Sequence, residues 1–146
     1  MTESTAPSAT SPQPGTGNVR VDRMLHVMMG SAHLESAELT GPVLTLRYRQ
    51  ADAYFVNDEF VARLVIGAAF GLLYRCGLGE VHFHFMRDGQ DVPLHVSREA
   101  FAAFFGLDEE QMAALAADPA RFDASPVHRV TEARQWEFYL QFTKDA

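Results

Sequence analysis

His82, His84 and His95 are the residues of this 146-residue chain whose type and spacing best suit them to chemistry. Imidazole nitrogen is a ligand for Zn²⁺ and other borderline metals, and three such ligands leave a fourth position for a water that can act as a nucleophile. The three meet only if the segments that carry them pair in one register. Residues 81–86 and 92–96 flank Arg87-Asp88-Gly89-Gln90, and Asp-Gly is a favoured centre for a two-residue type I′ turn. Pairing Arg87 with Gln90 sets Phe85 against Val92, Phe83 against Leu94 and Val81 against Val96, so these apolar side chains share one face. On the other face His82 lies across from His95, with His84 two positions along its strand and opposite Pro93.

Two readings of that face follow. In one, His82, His84 and His95 bind zinc in a small metal-dependent enzyme or metal sensor, with Glu80 and Asp91 available to hydrogen-bond the ligating rings. His-x-His with one distant His lacks the fixed spacing of an established metal motif, however. In the other, which we take first, the histidines form a semi-polar sheet surface covered by another element or a second subunit, because an imidazole packs flat while its nitrogens stay wet. A pH-responsive surface is a third use of the same residues.

Other reactive groups point to structure rather than catalysis. Cys76 is expected at a helix C-terminus, where the negative end of the dipole opposes thiolate formation. No Ser lies in a Gly-x-Ser-x-Gly elbow, and Gly77-Leu78-Gly79 lacks the third glycine and following helix of a phosphate loop. Asp108, Glu109 and Glu110 crowd a first helical turn, as the helix dipole favours. Arg20, Arg23, Arg47 and Arg49 can form an anion site, yet 19 acidic against 12 basic residues give a net charge of -7, which disfavours a nucleic-acid binder. Eleven of the basic residues are Arg and only Lys144 is Lys, a bias that a GC-rich genome also produces.

The elements that must position these residues can be traced along the chain. Residues 1–17, rich in Ser, Thr, Pro and Gly, are expected to be a disordered tail, and residues 18–146 a single domain. Val21, Met24, Leu25 and Met28 recur at helical spacing and Gly30 can close that helix; Met24, Met28 and Met29 read as core before partner surface. Residues 32–39 and 43–50 flank Thr40-Gly41-Pro42 as a hairpin. Asn57 caps a long apolar helix running to about Cys76, in which Gly67 and Gly71 allow close packing. Ser97 caps a short helix that Gly106 ends, and Asp108 with Gln111 makes a capping box for another that Asp118-Pro119 stops.

Near the end, Trp136, Phe138, Leu140 and Phe142 alternate with polar positions and predict a final strand, against a competing helix from Thr131. Trp136 and Tyr139 are the candidate partner anchors on that strand.

This order predicts an α+β fold: an antiparallel sheet of about five strands packed against one long buried helix, with short flanking helices. The element order and acidic small size resemble dimeric secretion-chaperone-like α/β proteins, an architectural likeness. The expected function is a cytoplasmic, non-enzymatic binding or adaptor module, homodimeric, holding a protein partner through a sheet face or its terminal strand and needing no cofactor. The alternative is the zinc site. One cysteine, no basic-then-apolar leader and no apolar run approaching the roughly 20 residues of a bilayer span underlie the cytoplasmic, membrane-free expectation.

Overall fold

The turn at Asp88-Gly89 has both residues in the left-handed region, at φ 54° and 75°, as a type I′ turn requires. It joins β3 (Glu80–Arg87) to β4 (Gln90–Ser97) in the register read from the sequence, with Arg87 against Gln90 and His82 against His95. This computed structural model describes residues 15–144. A second hairpin precedes it, β1 (Leu34–Thr40) and β2 (Val43–Tyr48), antiparallel about Gly41 at φ 61°.

Between the hairpins runs α2 (Asp58–Phe70), whose N-terminus is capped by Asn57 Oδ1 accepting from the Phe60 amide at 2.8 Å. It continues through one π-helical turn, Gly71–Arg75. Arg98 serves the carbonyl end, donating from Nη1 to the carbonyls of Leu73 and Leu78. The helix returns the chain to the same end of the sheet, so β3 pairs with β2 in parallel, Leu44 beside Val81 and Leu46 beside Phe83. The result is a mixed sheet of four strands in the order β1-β2-β3-β4. An all-antiparallel sheet of five strands was expected; the helical crossover between the hairpins is what makes the central pair parallel, because parallel strands need such a connection.

The missing fifth strand is a helix. Residues 132–144 form α6 (Glu132–Lys144), begun by Thr131 Oγ1 accepting from the Arg134 amide. Phe138 and Phe142 are fully buried, whereas Trp136 and Leu140 are 42% and 47% exposed. A strand would put all four on one face; a helix separates them into an inward pair and an outward pair four residues apart. The expected single long helix therefore shares its layer with a second helix, α6.

The remaining helices follow their local signals. α1 (Val19–Val27) starts at Asn18, buries Val21 and Leu25, and gives way to Gly30 at φ 84°. A Cβ on Gly71 would lie 2.8 Å from Met24 Sδ, so this glycine permits the contact between α1 and the long helix. Of the expected tail, residues 1–14 lie outside the described residues; Thr16 and Gly17 donate to the Asp22 carboxylate at 2.7 and 3.1 Å. Ser97 caps α3 (Arg98–Phe105), and the Asp108–Gln111 capping box opens α4 (Glu109–Ala117). Asp118 ends α4 and also caps α5 (Pro119–Asp123), so the expected stop is equally a start.

The core lies between the inward sheet face and the helices. Tyr48 stacks on Phe85 at 4.7 Å, and Phe55 meets both edge-on. Burial raises the Tyr48 pKa, and its Oη has no hydrogen-bond partner among the described residues. Arg87, at the inward end of β3, donates to Asp58 Oδ1 at 2.5 Å and to Tyr139 Oη at 3.3 Å, fastening the strand to α2 and α6. No helix among the described residues is long and apolar enough to cross a membrane.

Candidate functional site: the outward sheet face

Alternation along four paired strands places one set of side chains away from the helices. Across the middle run Glu38, Thr45, His82 and His95; beside them run Ser36, Arg47, His84 and Pro93. Val43, Glu80 and Ser97 extend the surface toward one end, Met86 and Asp91 toward the other. The ring and polar contacts of the histidines are with one another and with carboxylates of their own hairpin, while the helices pack on the opposite face.

The geometry within the patch is specific. His82 and His95 stack face to face, centroids 3.9 Å apart and planes 15° from parallel, and His84 meets His95 edge-on at 5.8 Å. Glu80 Oε2 contacts His82 Nε2, and Asp91 Oδ2 lies 3.1 Å from His84 Nδ1. Stacked imidazoles direct their nitrogens along parallel planes rather than toward a common point. Among the described residues no group of three His, Cys, Asp or Glu is placed to hold a metal ion. The structure thus brings His82, His84 and His95 together as a surface, with the two anticipated carboxylates already engaged by the rings.

His95 binds its proton less readily than a free imidazole: burial lowers its pKa from 6.5, and the charges of His82 and His84 lower it further against the weaker pull of Glu80 and Asp91. Between the folded value and about pH 6.5 the unfolded chain therefore holds more protons than the folded one. The contribution to stability is complete above that pH and is lost as pH falls through the folded value. Thermal midpoints followed from about pH 7.5 to 5.5 are expected to decline, with His95→Gln flattening the decline; an unchanged slope in the variant would show that His95 does not carry it.

Comparison with protein-family models, curated proteins and solved structures gives no match for this chain. Function must therefore be argued from the residues themselves.

The other sequence candidates are dispersed. Trp136 and Tyr139 stack at 6.1 Å with planes 8° apart, but on α6 and not on a strand. Trp136 is exposed, whereas the Tyr139 hydroxyl accepts from Arg87. Arg47 stands on the outward face, while Arg49 donates to the carbonyls of Ala32 and Leu34, so the two do not form one anion site. Glu109 accepts from Arg98 at 2.5 Å and from Tyr74 Oη at 3.2 Å, and the Arg98 guanidinium holds its pKa below the usual range, a structural use of the supposed acidic cluster. Cys76 is half-buried, with its thiol pushed up by burial. Thr45, Val43 and Met86 belong to the patch and were missed: alternation along each strand marks them, but only the parallel β2–β3 pairing sets Thr45 beside His82.

Proposed function

We propose that the protein is a cytoplasmic, non-enzymatic binding or adaptor module that works as a homodimer, with the outward sheet face as the surface between the two copies. The observation that carries this reading is the composition of that face. A stacked histidine pair, Val43, Met86 and Pro93 supply apolar and flat area, and both signs of charge lie in the same patch, Arg47 with Glu38, Glu80 and Asp91. A two-fold interface apposes one patch to itself, so a surface that carries both signs can satisfy its own charges. A face meant only for water needs neither the ring stack nor the apolar side chains.

On the helical side, Trp136 and Leu140 stand exposed one turn apart on α6 and form the anchor for a protein partner, as large aromatic side chains do at interface centres. Dimerisation through one face and partner capture through the other is what an adaptor requires.

Sedimentation equilibrium of the full, untagged chain tests the reading. Across about 1 to 100 µM, the range of ordinary interface affinities, the expected mass is twice that of the chain. The mass of a single chain throughout that range would overturn it.

A further inference from the structure

We infer that the cleft between α1, α2 and the segment 122–130 is a binding site for a medium-chain carboxylate, an apolar chain of about eight carbons ending in one carboxylate group. The cleft encloses about 260 Å³ and sits on the helical layer, so it stands apart from the sheet face and from the dimer reading.

Three features define the occupant. The first is the floor. Arg63, Gly67, Gly71 and Arg75 succeed one another at intervals of four along the long helix and its π-helical turn. Gly71 is filled by Met24, but a Cβ on Gly67 would meet nothing within 4 Å. An interior helical glycine costs about 1 kcal/mol relative to alanine, and no packing among the described residues requires this one. Gly67 opens the floor of the cleft along its middle.

The second feature is the wall, made by Met24, Met29, Ile66, Phe70, Val127 and Val130. These side chains offer no strong hydrogen bond to a polar ligand, and the exposed Met29 is a flexible thioether that can close on an alkyl chain.

The third is charge. Among the described residues the ionisable groups lining the cleft are Arg63, Arg75 and His128, with no carboxylate, although the chain carries a net charge of -7. Arg75 makes no ion pair among the described residues; its guanidinium lies over the Phe70 and Phe122 rings at 5.4 and 5.5 Å. Two ring faces lie against the planar cation, and with no ion pair among the described residues its N–H groups can take a bidentate acceptor, which a carboxylate is. Carboxylate on Arg75 and alkyl chain over Gly67 satisfies floor, wall and charge together.

Titration calorimetry of the full chain with sodium octanoate, with 1-octanol as the uncharged control, tests the site. Octanoate is expected to bind one-to-one with a Kd on the order of 10⁻⁴ M, and octanol at least about tenfold more weakly. Arg75→Gln should remove that preference. Gly67→Leu should weaken octanoate binding about thirtyfold while the thermal midpoint holds or rises, since leucine is the better helix former. In the unsubstituted protein, octanoate should shift the Gly67 and Gly71 amide resonances, a readout that does not depend on any variant folding. No heat and no shift up to about 5 mM octanoate, equal affinity for octanol, or undiminished binding by folded Gly67→Leu would each overturn the assignment.

Discussion

Phe138→Ala is expected to lower the unfolding free energy by about 3–5 kcal/mol, the cost of truncating a buried aromatic residue and leaving part of its volume empty. Phe138 is fully buried and its ring lies 4.2 Å from Phe142, 5.1 Å from Phe104 and 6.2 Å from Phe101, so it joins α6 to α3. Relaxation is restricted because each of those rings is held by others in the cluster. Leu140→Ala, two positions on and 47% exposed, is expected to change stability by no more than about 0.5 kcal/mol. Urea unfolding followed by far-ultraviolet circular dichroism measures both. Similar losses at the two positions would mean that residues 136–142 bury one alternating face, as a strand does, and would contradict the helix.

Thr45→Arg is expected to weaken dimerisation by at least about a hundredfold, because like charges brought together across an interface cost several kcal/mol. Thr45 lies in the middle of the outward face, between Glu38 and His82. With the two-fold axis through the middle of the face, the introduced guanidinium would meet its own copy. An outward, half-exposed strand position tolerates arginine within one chain, so the monomer should keep its fold and its far-ultraviolet spectrum. Sedimentation velocity of the variant beside the parent checks this, and a dimer of undiminished affinity would remove the sheet face from the interface.

Much of this architecture is written locally. Asp88-Gly89 demands a type I′ turn, and that turn with the alternation of Val81, Phe83 and Phe85 fixes which side of the hairpin carries the histidines. Asn18, Asn57, Ser97 and Asp108 mark helix starts because their side chains satisfy amides only a few residues ahead. The C-terminal segment resisted because a separation of four, as between Phe138 and Phe142, fits both the strand period and the helix period. What decides is the exposure of Trp136 and Leu140, a property of the neighbours and not of the segment. The parallel pairing of β2 and β3 has no local mark, although a long helix between two hairpins was itself a sign of a crossover.

The site was legible to the same depth. Turn and register place three histidines on one surface, but whether their nitrogens converge depends on side-chain rotation. Here the His82–His95 stack and the engagement of Glu80 and Asp91 determine it. The cleft around Gly67 was not legible at all, because it gathers residues from α1, α2 and 122–130 that only tertiary packing brings together.

Deuterium exchange at histidine C2 positions, read by mass spectrometry on the full chain beside its Thr45→Arg variant, tests whether a second copy covers the sheet face. His26 and His128 are exposed on the helical side and serve as internal references. If the outward sheet face lies between two copies, exchange at His82, His84 and His95 will be slow relative to those references in the parent and will speed up in the dissociated Thr45→Arg variant. Rates at the three sheet histidines that are the same in the parent and in Thr45→Arg would show a face that no second copy covers.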